Sequence, residues 1–324
     1  MPADSGKESE MNASSNDGGK CLAWADFPEG FTPFFLDPTG VRLDAKELSP
    51  GVYALLSSVP NVDNAGFVVG ERDVLVVDSH INPAMGRQIL ERVREVTDKP
   101  IRYLVNSNYH GDHTFGNCAF PAETVIIQHR RTADLVPFHE EERRFMLPCV
   151  GNDPKILEEV ELRSADVVFD DYLRIDLGGK VVELHYFGPA NTPGDTITYV
   201  PEAKAAWTGN MTGGNLIIPL ESDAPTYMNS IARLAQTLEV ETLIPAHNPM
   251  SGPELLGGYM QYLSDVTQAV RGAVGAGWTL AEAMERIPLD LDRPYAPPAD
   301  HPRFDFFQDL HSYAVMKTYQ SLSG

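Results

Sequence analysis

The segment Asn106-Ser-Asn-Tyr-His-Gly-Asp-His-Thr-Phe-Gly-Asn117 sets two imidazoles and a carboxylate, His110, Asp112 and His113, within four residues. These are the donor types that bind zinc or a similar divalent ion. They converge only where the chain turns sharply, and Gly111 permits such a turn. The segment follows Ile101–Val105, a short apolar run that reads as a strand. Three more polar clusters also follow apolar runs: Gly188-Pro-Ala-Asn-Thr-Pro-Gly-Asp195, Trp207-Thr-Gly-Asn-Met211 and Leu243-Ile-Pro-Ala-His-Asn-Pro249. Loops at strand ends are where side chains from distant parts of a chain meet.

The elements that must position these loops are legible as apolar runs between turn residues. Gly51–Leu56 predicts a strand, and Gly66–Gly70 with Asp73–Asp78 predict a hairpin around Glu71-Arg72. Met85, Ile89, Leu90, Val93 and Val96 recur at helical spacing. Thr124–Gln128 reads as a strand, and the charged run His129–Met146 as one helix stopped by Pro148. Strands follow over Tyr172–Leu177, Lys180–Tyr186, Thr196–Val200 and Ala205–Thr208, then a helix over Tyr227–Leu238 and a strand over Thr242–Ile244. Pro253–Ala273, Thr279–Ile287 and Phe304–Leu322 read as helices. This order implies two sheets with helices outside. It divides the chain into a disordered polar tail over 1–30, a main domain over 31–252, and a helical extension over 253–324 packed on the same domain.

Charge narrows the partners. The 324 residues carry 25 Lys+Arg and 46 Asp+Glu, a net −21 with His neutral. Nucleic-acid affinity comes mostly from Lys/Arg on phosphates, and an anionic membrane surface repels a chain of this sign. Neither is an expected partner; a small uncharged or apolar molecule is. No apolar run is long enough to span a membrane, and Met1–Lys20 has no apolar core of a signal peptide, so a cytoplasmic location is expected. Cys21, Cys118 and Cys149 fit neither a disulfide framework nor a zinc ribbon, and read as reduced thiols. His80, His129, His185, His301 and His311 lack ligand-type neighbours in sequence.

Together these segments resemble the metallo-β-lactamase superfamily. The pattern is an acid closing an early strand (Asp78 in Asp78-Ser79-His80), a His-x-His-x-Asp-His run (Asn108 to His113) and a Gly-x-x-His-Thr-x-Gly-like segment (Gly188 to Gly194). A Gly-Asp or Gly-Cys pair (Gly209-Asn210) and a Pro-x-His (Pro245-Ala-His247) complete it. The resemblance covers roughly residues 50–250. It implies an α/β fold, the αββα four-layer sandwich, with metal at one edge and here a C-terminal helical extension.

The departures are as informative as the matches. Asn108 and Asn191 stand where the superfamily usually has His, and Asn210 where it has Asp or Cys. An asparagine amide is a weak transition-metal ligand. The first of the family's two metal sites thereby loses two of three donors and is expected to be empty. The second keeps Asp112, His113 and His247, with the Asn210 carbonyl oxygen as a weak fourth donor, the open form of a catalytic zinc site. One catalytic zinc per chain follows. This set is most similar to the hydrolytic chlorothalonil dehalogenase branch. That likeness implies replacement of an aromatic chlorine by hydroxyl, a small apolar aromatic substrate, and a homodimer with a second, structural zinc between helices. His139 and Glu142 match that second site at i, i+3 spacing; the other reading of them is a solvated helix face.

In the implied mechanism zinc lowers the pKa of a bound water toward ~7. Asp112 holds the metal and orients the water, and Asn108 and Asn191 hydrogen-bond where the first metal would sit. His110 either shuttles a proton or is packed behind the ligands. Tyr109, Phe187, Trp207, Met211, Leu216 and Ile218 are candidates for an apolar pocket or for the core. Two alternatives stand beside this reading. One is a hydrolase of the same fold acting on an ester, thioester or lactam; the other is a non-catalytic member that binds a ligand.

Overall fold

The computed structural model describes residues 31, 33–213 and 219–324. The tail expected over 1–30, Cys21, and the pocket candidates Leu216 and Ile218 lie outside the described residues. Strands β1 (Leu43–Ser49), β2 (Val52–Ser57), β3 (Ala65–Val69), β4 (Val74–Val77), β5 (Ile101–Val105), β6 (Val125–His129) and β7 (Val167–Phe169) form a seven-stranded sheet in chain order. Its first four strands are antiparallel and β4 to β7 run parallel. Strands β8 (Tyr172–Asp176), β9 (Val181–Tyr186), β10 (Thr196–Val200), β11 (Ala205–Gly209) and β12 (Thr242–Pro245) form a five-stranded sheet, with β11 and β12 parallel.

The two sheets face each other. Val52, Val68, Leu75, Val105 and Ile127 of one pack against Val182, Leu184, Val200, Trp207 and Ile244 of the other. The sheets touch closely at Gly66, where an added Cβ would fall 2.2 Å from Trp207 Nε1. That indole donates to Ala65 O across the layer at 3.0 Å. Helix α1 (Pro83–Val96), capped by Asn82 accepting from Met85 N, buries Met85, Ile89 and Val93 on the outer face of the larger sheet. After the single turn α2 (Gly111–Thr114) come α3 (Arg130–Leu135) and α4 (His139–Cys149). Helices α5 (Ala224–Thr237), α6 (Glu254–Gly275), α7 (Leu280–Arg286) and α8 (Phe304–Leu322) cover the outer face of the smaller sheet, sharing one core with Ile197, Tyr199 and Leu243. The fold is the αββα sandwich implied by the resemblance. No helix among the described residues is long and apolar enough to cross a membrane.

Two expectations need correction, and two strands were not foreseen. The charged run after β6 is two helices, separated by a 3-10 turn over Val136–Phe138. Pro137 has no N–H for an α-helical bond there, and the chain leaves helical backbone at Phe138 (φ −85°, ψ 31°) before α4 begins. Pro148 lies inside the last turn of α4 rather than stopping the helix ahead of it. Strands β1 and β7 carried no sequence signal: β1 has one buried position among mostly exposed ones, and β7 is three residues long.

Candidate metal centre

Three loops at one edge of the sandwich deliver polar side chains to the same place. The loop after β5 supplies Asp112 and His113 from α2, the β12 exit supplies His247, and the β2–β3 loop supplies Asp63. One donor atom from each of Asp63, Asp112, His113 and His247 lies within 4.8 Å of the others. Asp112 Oδ2 is 3.3 Å from His247 Nε2 and 3.5 Å from His113 Nε2. Asp63 Oδ1 is 3.9 Å from His113 Nε2.

Outer bonds aim these donors inward. Asp78 Oδ2 and Ser107 Oγ sit 3.0 and 3.1 Å from His113 Nδ1, so Nε2 faces the centre. Asp78 is itself held by Ser107, whose N–H and hydroxyl donate to its two oxygens at 2.7 and 2.8 Å. Its backbone sits at φ 60°, with His80 at φ 70° two residues on, strained backbone of the kind that gathers at functional sites. The His247 ring places Nδ1 3.0 Å from Asn61 O, which likewise turns Nε2 inward. Asn64 ties the two loops together by donating to Pro245 O and Asn248 O at 2.9 and 2.8 Å. Gly111 is needed for room rather than for an unusual turn, since a Cβ there would fall 2.6 Å from the Phe115 ring.

The chemistry of this donor set fits a divalent cation. Both oxygens of Asp63 and Oδ1 of Asp112 are buried with no hydrogen-bond partner among the described residues. Two adjacent buried carboxylates without a counter-ion are unfavourable. Burial and the nearby Asp112 carboxylate push the Asp63 carboxyl well above its ordinary range. Burial opposes the charge of Asp112, but His113, His247 and His110 hold its carboxyl well below the usual carboxylate range. Burial likewise opposes protonation of His113, yet Asp112, Asp78 and Asp63 raise it well above the usual imidazole value. A cation held by these donors would replace the protons that such raised groups favour.

Asp63 is the residue the sequence reading missed. Asn210, expected as the weak fourth donor, places Oδ1 3.2 Å from His113 Nε2, while its amide nitrogen donates to Asn191 Oδ1 at 3.3 Å. Asn108 turns its oxygen to the His110 N–H at 2.8 Å, closing the loop rather than facing a ligand. His110 lies beside the cluster, not in it: Nδ1 is 3.0 Å from Glu142 Oε1, and Nε2 is buried without a partner among the described residues. Glu142 Oε1 also accepts from Gly111 N at 2.9 Å.

This corrects the reading of His139 and Glu142. Glu142 is 2% exposed, so it is neither on a solvated face nor turned outward to a second chain. His139 pairs instead with Glu140 at 3.1 Å. Because α4 starts afresh at His139, its inward face is set by packing over α2 and not by continuation of the preceding helix. The same centre contains His80, which burial holds neutral, its pKa pushed down to about 3.

Above the cluster a cavity that opens to solvent is lined by Asp112, His110, Asn191, Asn210 and His247 at its floor. Its walls include Phe34, Phe145, Leu220, Phe306 and Leu310. Of the six expected pocket residues, the four described ones, Tyr109, Phe187, Trp207 and Met211, are buried elsewhere and do not line it.

The profile of the "Metallo-beta-lactamase superfamily" matches residues 59–247. A curated linear primary-alkylsulfatase from Pseudomonas sp. (strain ATCC 19151) is 23% identical over 259 residues, 67% of this chain and 48% of that protein. The chain thus spans about half the length of that relative. Among solved structures, the inverting sec-alkylsulfatase Pisa1 from Pseudomonas sp. superposes with TM-score 0.63 at 15% identity, covering 86% of this chain and 50% of that one. A metallo-beta-lactamase from Pontibacter korlensis gives TM-score 0.56 at 16% identity, over 69% and 99% of the two chains. These likenesses carry the fold. The profile spans every loop that brings Asp63, Asp112, His113 and His247 together, and the chain belongs to the metallo-beta-lactamase superfamily.

Proposed function

We propose that the protein is a single-metal hydrolytic dehalogenase, with zinc as its metal, which replaces chlorine on a small, electron-poor aromatic ring by hydroxyl. The observation that carries the reading is the four-donor cluster at the floor of a cavity walled by phenylalanines. Asp63, Asp112, His113 and His247 would hold the ion, with Asn210 Oδ1 beside them. The chemistry such an ion supplies is activation of a water nucleophile at neutral pH. The chain's own residues do the rest. Phe34, Phe145 and Phe306 hold a ring and exclude bulk water. His110 Nε2 takes the proton of the attacking water. A C–O bond forms at the carbon bearing chlorine, the C–Cl bond breaks, and chloride leaves with the electron pair.

Glu142 acts through His110 as a positioning residue. Burial works against charging His110, yet the Glu142 carboxylate at 3.0 Å, with Asp112, raises its pKa above the ordinary value. Glu142→Gln removes that charge and keeps an acceptor for Gly111 N. It is expected to lower kcat about tenfold and to move the acidic limb of the kcat/KM profile to lower pH. An unmoved limb would exclude His110 as the base.

The second reading is hydrolysis of an alkyl sulfate or another ester. Arg303, at the same cavity, favours it, since a guanidinium suits an anionic head group. The deciding experiment offers zinc-loaded protein chlorothalonil, dodecyl sulfate and nitrocefin in parallel. Chelator-sensitive chloride release supports the dehalogenase; sulfate release or nitrocefin turnover without chloride release rejects it. The reading also carries one zinc per chain and a homodimer, checked by metal analysis and by a solution mass of twice the chain's.

A further inference from the structure

The cavity above the cluster is built from two sources. Its floor belongs to the stretch 59–247 that the superfamily profile covers, whereas Phe34, Phe35, Arg303 and Phe306 come from segments on either side of it. These outer residues interlock. The Phe34 and Phe306 rings meet nearly perpendicular at 5.7 Å between centroids, and Phe35 and Phe306 at 5.9 Å. The guanidinium carbon of Arg303 lies 3.8 Å from the centroid of the Phe35 ring. Phe35 is 40% exposed, so this stacked pair stands at the mouth.

Arg303 is the only lysine or arginine lining the cavity among the described residues. Its guanidinium has no ion pair among the described residues, although the chain carries 46 acids against 25 bases. Stacking uses the flat face of a guanidinium and leaves its in-plane N–H donors for a ligand. The floor of the cavity carries the Asp112 carboxylate. An acceptor-bearing substituent on a bound ring that faces the mouth meets the Arg303 guanidinium, the cationic side chain that the described lining offers there.

We infer that Arg303 is a specificity-determining residue that reads a hydrogen-bond-accepting substituent, such as a nitrile or carboxylate, on an aromatic ligand. The phenylalanines accept any ring of suitable size; Arg303 selects among rings and fixes which edge faces the metal donors. The inference rests on this cavity being the substrate site, as proposed above, but not on the reaction carried out there.

The test is calorimetric titration of the zinc-loaded full chain with chlorobenzene, 4-chlorobenzonitrile and 4-chlorobenzoate. The two acceptor-bearing rings are expected to bind about fivefold tighter than chlorobenzene, the scale of a charge-assisted contact at a half-open site. Arg303→Met keeps an apolar stem over Phe35. It should erase that preference while moving the chlorobenzene affinity by less than about twofold. Arg303→Lys should retain part of the preference for 4-chlorobenzoate. A preference that survives Arg303→Met means that the metal or Asn210 reads the substituent, and the inference falls. It falls equally if the wild-type chain binds the three rings alike or binds none. Absence of chloride release with this selectivity intact would overturn the dehalogenase reading and leave the role of Arg303 standing.

Discussion

Asp112→Asn is expected to reduce kcat/KM about a thousandfold and to leave the purified protein with little bound metal. The reason is geometric and electrostatic at once. Asp112 Oδ2 is the atom that both inward imidazole nitrogens approach, 3.3 Å from His247 Nε2 and 3.5 Å from His113 Nε2. Its other oxygen has no partner among the described residues. An amide keeps the size and loses the charge, and a neutral oxygen is a poor donor for a transition metal. His247→Ala should behave the same way. Asp63→Asn discriminates between two ligand sets. With Asp63 as a ligand, metal affinity falls by about a hundredfold. If Asp63→Asn retains full metal content and activity, the ion is held by Asp112, His113, His247 and Asn210, the set expected from sequence. Full metal content and activity in Asp112→Asn would overturn the site itself.

The contrast between Asp112 and Asp63 marks how far the sequence could be read. Asp112 and His113 are contiguous in a motif, so residue type and spacing are enough to nominate them. His247 follows an apolar run at a recognisable Pro-x-His. Asp63 has no such company. It reaches the centre because Asn64 bonds to Pro245 and Asn248 far along the chain, and no local pattern encodes that closure. The polar run Asn61-Val-Asp-Asn64 at a strand end was the one available signal.

The sandwich itself was legible, since most of its strands are apolar runs between turn residues. The pocket was not. Nearness to the motifs nominated Trp207 and Met211, yet residues inside or just after a central strand are consumed by the core, and both are buried there. The walls come from Phe34 and Phe306, near opposite ends of the chain, brought together by helix packing that one-dimensional spacing does not carry. Glu142 fails for a related reason. An i, i+3 pair shares a helix face, but which face turns inward depends on where the helix begins, and Pro137 resets that start.

Acidification is expected to destabilise the C-terminal helices through His311. This ring, 6% exposed on α8, places Nε2 3.2 Å from Ile287 O and Nδ1 3.3 Å from the Tyr262 hydroxyl of α6. The carbonyl can only accept, so Nε2–H donates to it and Nδ1 accepts the tyrosine proton, the neutral tautomer. Burial opposes a second proton more strongly than the carbonyls of Ile287 and Pro288 favour it, and the pKa is pushed down to about 4. Unfolded, the same ring titrates near ~6.5. The folded value lies below the unfolded one, so the stabilisation is complete above ~6.5 and is lost as pH falls toward about 4, in all about 3 kcal/mol. Urea midpoints at several pH values should reveal this slope. His311→Gln supplies an amide donor to Ile287 without titrating, and its slope over the same window should be shallower by about one proton. Metal loss in acid affects both proteins alike and cancels in that difference. Identical slopes in the two proteins would mean that His311 is not the acid-sensitive contact between α6, α8 and the segment after α7.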